Sequence, residues 1–280
     1  MNQTAEQYLN SVTSLWTPTA GQFDGARSHR SSIETRLDQT FGLREMFETG
    51  SLRHGTGVWQ YSDADYIVSL KGVMPGSEWT TLNKVKADLQ ARFPMTSITV
   101  RRPAVVCNFS DGVVEVTPAY PNFKTNGDKD GYWIPDPTGG WMKTHPKDHN
   151  LYVNSVNGKH GGGAKSLARQ AKIWKYKRNV PVSSCYLEMR AAKYADGEEW
   201  WSPVQDLYRY FNRLYGHGLA AMNDPTGLGS RFNATSSEAN HTVALSRLST
   251  AVTRARKAKE FQAAGNQTSA ISQLKLLFDA

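Results

Sequence analysis

Residues 50–70 read GSLRHGTGVWQYSDADYIVSL. Gly50-Ser51 is a small turn able to bring backbone N–H groups and a hydroxyl against phosphate oxygens. Thirteen residues after Gly50, Asp63 opens an Asp-x-Asp pair with Asp65. In an extended segment, positions i and i+2 point to the same face. Hard carboxylate oxygens placed side by side in this way suit Mg²⁺.

Working outward, residues 5–16 and about 24–42 have helical spacing, the second amphipathic through Ile33, Leu37 and Phe41 and stopped by Gly42. Leu43 to Thr49 reads as a short strand entering Gly50-Ser51, and Asp65 to Leu70 as a second, buried strand. Glu78 to Phe93 is helical and ends before Pro94. Ser97 to Phe109 and Val113 to Thr117 are β-rich, joined by the hairpin signal Ser110-Asp111-Gly112. Residues 121–163, rich in Gly, Pro, Asn and Asp, are expected to be loop and crossing segments. Helices are expected at about 164–178, 182–195, 202–215 and 238–264. The fold class is therefore α+β and bilobed. A small mixed sheet with helices occupies residues 1–160, including the N-terminal helix, and a helical lobe over 161–280 completes a cleft.

A two-metal site needs a third acid. Glu115 supplies one in an otherwise apolar strand, where a lone carboxylate is costly unless paired or metal-bound. Asp111 competes, although its place before Gly112 suits a turn. A phosphate cradle beside metal-holding carboxylates is what nucleotidyl transfer from a nucleoside triphosphate requires.

Bulk properties narrow the class. The chain of 280 residues has a net charge of +8, from 33 basic and 25 acidic side chains, which suggests an anionic partner without choosing among nucleotide, nucleic acid and acidic protein. Lys165, Arg169, Lys172, Lys175, Lys177 and Arg178 form one basic cluster, and Arg247, Arg254, Arg256, Lys257 and Lys259 another. Each reads equally as a solvated helix face. Cys107 and Cys185 alone fit a reducing compartment, and neither a signal-peptide order nor a membrane-length apolar run is present, so a cytoplasmic protein without a membrane partner is expected.

GSLRHGTG followed by DADYIV and then VEVTPAY resembles the catalytic core of DNA polymerase β-like nucleotidyltransferases, and within them the bacterial cGAS/DncV-like enzymes (CD-NTases). KSLARQAKIWKYKRNVPVSSCYLE at 165–188 and NDPTG at 223–227 are similar to later elements of that family in the same order. The resemblance implies that Gly50 and Ser51 hold the donor triphosphate, with Lys172 and Ser184 contacting it. It implies that Asp63, Asp65 and Glu115 ligate Mg²⁺ or Mn²⁺, Glu115 also helping to activate the acceptor hydroxyl. That third position is commonly Asp, and Glu adds a methylene. Where relatives often carry a base-stacking Tyr or Phe this chain has Cys185, so either another aromatic stacks or base selectivity is looser. The resemblance further implies NTP substrates (ATP and others), a cyclic di- or trinucleotide second messenger, and regulatory or effector proteins of an anti-phage (CBASS-type) operon, with a nucleic-acid activator as a further candidate partner. Transfer onto an RNA end, a protein or a small molecule is the alternative on the same fold, and a non-catalytic nucleotide sensor is a further one.

Three other signals carry less. GKHGGGAKS at 158–166 misses the P-loop spacing by one residue, because Ala164 separates Gly163 from Lys165. His145 and His149 are four apart, but Pro146 argues against one helical face and so against a zinc pair. Trp200-Trp201 is expected to pack between helices.

Overall fold

Strand β5 (Gly112–Phe123), the longest at 12 residues, is the axis of the sheet in a computed structural model that describes residues 3–278. Its first half lies between β2 (Ala64–Leu70), which is parallel to it, and β4 (Ala104–Phe109), which is antiparallel. With β1 (Leu43–Thr49) outside β2 and β3 (Ser97–Arg101) outside β4, the order is β1-β2-β5-β4-β3. A parallel pair needs a long crossover. Here α5 (Glu78–Arg92) and the β3–β4 pair fill it.

Alternation along β2 gives the sheet two characters. Ala64, Tyr66, Val68 and Leu70 join the core with Leu82, Val85 and Leu89 of α5 and with Ile33 and Leu37 of α3 (Arg30–Phe41). Asp65, Ile67 and Ser69 face the other way, where Ile67 packs with Ala119 and Tyr132. One face is thus covered by helices, and the other keeps its acidic end for the cleft. The helix expected over 24–42 is divided into α2 (Asp24–Ser28) and α3, with His29 between them stacked on Phe109 at 3.6 Å and bonded to Asp111 at 2.8 Å.

Residues 121–163 are not the loops that their composition suggested. β5 runs on to Phe123, and β6 (Lys129–Pro135) and β7 (Trp141–Thr144) build a meander on its distal half. Pairing of Tyr120 with Trp133 and burial of Tyr132 outweigh the turn-forming composition. Pro146 begins α6 (Pro146–Lys159) rather than breaking it, because the first helical position has no N–H partner to lose. His149, Val153 and Val156 then form its buried face at i, i+4 and i+7. His149 bonds Asp224 at 2.6 Å, and His145 lies 3.4 Å from Asp148.

The remaining helices are α7 (Gly163–Lys177), α8 (Ser184–Asp196), α9 (Pro203–Gly216), α10 (Glu238–Ala263) and α11 (Gln267–Phe278). They share one core that includes Trp174, Leu187, Phe211, Leu248 and Leu274. The N-terminal helix α1 (Ala5–Leu15) belongs to this core through Leu9 and Val12, so the two cores do not part the chain at residue 160. α1 starts with a capping box in which Thr4 and Gln7 bond reciprocally at 3.1 and 2.9 Å. Trp201 packs against Gly163, where a Cβ would approach its ring to 2.3 Å, whereas Trp200 is 84% exposed. Among the described residues, no helix is long and apolar enough to cross a membrane.

Candidate active site

The parallel register sets Asp65 directly beside Glu115, so their side chains leave the same face of the sheet. Asp63 precedes β2 by one residue and joins them from the same side. Two of the three acids, Asp63 and Asp65, are strongly perturbed by this setting. Burial, then Glu115, pushes the Asp63 carboxyl up to about 7. Asp65 is also raised well above the usual carboxylate range, by burial first and then by the charges of Glu115 and Asp63. Partly buried carboxylates that repel in this way call for a cation. Converging oxygens with no sulfur or imidazole among them fit a hard divalent ion. Among the described residues, no three acidic, His or Cys side chains are already arranged as a metal cage. Instead, Nη2 of Arg101 bonds Asp63 at 3.3 Å and also bonds Glu115.

Gly50 follows β1 and starts the short helix α4 (Gly50–His54) with φ of +65°, a conformation that suits glycine. A Cβ there would lie 2.1 Å from Oδ2 of Asp65, so the turn and the acid can be neighbours only without a side chain. The Ser51 hydroxyl donates to Ser62 at 3.0 Å, and Ser62 accepts the Val58 N–H at 2.9 Å. The segment from the turn to Asp63 is thereby tied to itself.

The other side of the cleft comes from α7 and α8. Ser184, the first residue of α8, accepts from Lys175 Nζ at 2.6 Å and shares a 3.1 Å hydrogen bond with the Tyr176 hydroxyl. Tyr176 in turn feels the charges of Asp63 and Asp65, which places this group near the acids. Burial, helped by Lys172 and Arg101, lowers Lys175 to about 8. Lys172 is placed differently. It is 1% exposed, with Nζ 3.1 Å from both Glu188 and Thr56. Glu188 also accepts from His54, and these partners hold its carboxyl well below the usual range against the opposing effect of burial. Arg169, also buried, donates to the carbonyls of Gly55 and Gly57 at 2.7 and 2.8 Å. Lys172 and Arg169 therefore pin the 54–57 loop to the helical lobe, and they are not part of a solvated helix face.

Cys185 is reached by solvent although protein crowds it, and that desolvation pushes its thiol up to about 12. Tyr186 is fully buried with its hydroxyl on the Ala220 carbonyl at 2.8 Å, so its ring is unavailable. The aromatics beside Ser184 are Tyr176 and Tyr61, stacked at 4.2 Å and within 4° of parallel, with Tyr61 40% exposed. Arg101, Lys175, Glu188 and the Tyr61–Tyr176 pair were not singled out as site residues from the sequence. Of these, Lys175 belongs to the basic cluster at 165–178, and Glu188 closes the family-like segment at 165–188. A cavity of about 730 Å³ lined by Arg27, Phe47, Tyr66 and Lys147 lies elsewhere, and none of the three acids lines it.

Residues 3–157 match the Second Messenger Oligonucleotide or Dinucleotide Synthetase domain. The chain belongs to this family. A probable cyclic nucleotide synthase of Bacillus cereus is 27% identical over 157 residues, 54% of this chain and 47% of that protein, so the match spans about half the length of this curated relative. The fold of the synthetase family is shared with solved structures at low identity. E. coli CdnC with ATP has a TM-score of 0.76 at 16% identity, covering 99% of this chain and 98% of that one. The Bradyrhizobium diazoefficiens CD-NTase CdnG in complex with GTP has a TM-score of 0.73 at 11% identity, covering 98% and 97%. Vibrio cholerae DncV in its apo form has a TM-score of 0.61 at 13% identity, covering 99% and 80%. The bilobed, polymerase β-like architecture of these solved structures is the fold of this chain.

Proposed function

We propose that this chain is a metal-dependent nucleotidyltransferase that joins nucleoside triphosphates into a cyclic di- or trinucleotide second messenger. The observation that carries this reading is the register of Asp65 beside Glu115, with Asp63 two residues from Asp65 and the Lys175–Ser184 pair across the same cleft. Membership of the synthetase family and the name of the Bacillus cereus relative support the reaction class. The structures of CdnC with ATP and CdnG with GTP support nucleotide substrates.

Asp63, Asp65 and Glu115 would hold Mg²⁺, which when bound lowers the pKa of an acceptor hydroxyl and offsets charge on departing pyrophosphate. Gly50 leaves its backbone open to a triphosphate beside Asp65, where any side chain would intrude. Lys175 and Ser184 hold the phosphates from the other lobe, which contributes positioning and charge stabilisation. Lys172 acts behind them, keeping the 54–57 loop against α7 and α8 through Thr56 and Glu188.

The setting is bacterial anti-phage signalling with a regulatory protein, a reading supported by the complex of E. coli CdnC with HORMA-deltaN. Such a regulator is recognised by a change in product formation when it is added to the purified chain, and no response to any protein of its operon counts against it. The chemistry is tested by incubating the protein with labelled NTPs and Mg²⁺ and then with phosphatase. Small phosphatase-resistant products are expected. Label found only on added RNA or protein would overturn cyclisation in favour of transfer to another acceptor.

A further inference from the structure

We propose that Arg101 is a positioning residue that stands in for the cation of the acidic cluster and gives way when a divalent metal enters, so that metal binds well only together with nucleotide. The proposal rests on the reading of Asp63 and Glu115 as metal ligands. Arg101 is the last residue of β3, an edge strand paired only with β4. From there a single nitrogen, Nη2, reaches Asp63 at 3.3 Å and also Glu115. The side chains of these acids are 30% and 16% exposed, whereas that of Arg101 is 65% exposed. Two carboxylates largely out of water are thus bridged by a cation that is itself mostly in water.

Two other cations near the cleft differ in this respect. Arg169 is buried on two backbone carbonyls, and Lys172 is buried on Glu188 and Thr56. Neither can leave without uncovering buried partners. Among the described residues, the Arg101 side chain has no hydrogen bonds other than those to the two acids, so it can swing into solvent with no other side-chain bond undone. What its departure exposes is the repulsion between Asp63 and Glu115, and a divalent ion would remove that repulsion again. Metal entry is therefore an exchange of one cation for another. A free ion must work against the guanidinium, while a metal arriving on a triphosphate brings further oxygen ligands and binding energy from Lys175 and Ser184.

Mn²⁺ binding in the absence of nucleotide, measured by electron paramagnetic resonance on the full chain, tests this directly. Arg101→Ala should bind Mn²⁺ at least ten-fold more tightly than the unaltered protein, and Arg101→Lys should fall between. A non-hydrolysable ATP analogue should narrow the gap, which a merely structural role would not do. Arg101→Gln preserves side-chain bulk if the alanine variant folds poorly. Equal Mn²⁺ affinity in folded Arg101 variants and unaltered protein, abolished by Asp63→Ala, would overturn the exchange while leaving the acids as ligands. Mn²⁺ binding that is absent throughout, or insensitive to Asp63→Ala, would overturn both.

Discussion

Gly50 packs so closely on Asp65 that a Cβ on the glycine would lie 2.1 Å from the carboxylate Oδ2. The phosphate turn and the acid are therefore one piece of structure, although fourteen residues separate them in the chain. Gly50→Ala would have to push Asp65 aside and would also hold alanine at φ +65°. A displacement of about 1 Å at a reacting centre can lower turnover roughly 100-fold, and strain of this kind costs on the order of 1–3 kcal/mol. The expected result is loss of product with a melting temperature lowered by only a few degrees, read by product chromatography and calorimetry.

How much of this was legible in the sequence depended on the range of the interaction involved. β1 over Leu43–Thr49 and α5 follow from local periodicity, and the structure has them almost residue for residue. The pairing of Asp65 with Glu115 was legible as chemistry, because an isolated acid in an apolar strand requires a partner. The meander at 129–144 was not legible, since its strands are held by pairing onto β5 rather than by their own composition. α11 also went unforeseen, and it is held by packing of Leu274 into the helical core. Lys172 and Lys175 are three residues apart on one helix, and only the fold tells the loop-pinning lysine from the one at Ser184.

Those two lysines should separate in a paired experiment. Lys172→Met leaves Glu188 buried without its ammonium partner, and breaking a buried pair costs about 3–5 kcal/mol. Urea unfolding should show that loss. Lys175→Met should change stability little and raise KM for NTP roughly ten-fold or more, the scale of a lost hydrogen bond to a charged group. The reverse pattern would reassign the triphosphate contact to Lys172.

Asp63 gives a pH dependence of definite sign. Its carboxyl is raised from 3.8 to about 7 in the folded chain, chiefly by burial and then by Glu115, so folding favours its protonated form. The associated stability is present below about pH 4 and is lost as pH rises through about 7. In EDTA, unaltered protein should therefore lose stability relative to Asp63→Asn across that interval, and Mg²⁺ should restore it at the upper end. A stability difference between the two proteins that is flat with pH in EDTA would show that Asp63 is not perturbed.

Tyr61 is the half-exposed member of the Tyr61–Tyr176 stack, and with Tyr186 buried it is the ring available to a base. Stacking on an aromatic contributes about 1–3 kcal/mol per base. Tyr61→Ala should raise KM for the preferred NTP roughly ten-fold with kcat nearly unchanged, and Tyr61→Phe should recover it. Unaltered KM in the alanine variant would place the base elsewhere.

The central claim, that Asp63, Asp65 and Glu115 form a catalytic metal cluster, is tested most directly by product formation in the Asp63→Ala, Asp65→Ala double variant. Removing two mutually repelling carboxyls should leave the fold intact, so circular dichroism and melting in EDTA should resemble those of the unaltered chain. Product from labelled NTPs and Mg²⁺ should fall below detection. Unchanged turnover in the folded double variant would contradict the metal assignment and the reaction built on it.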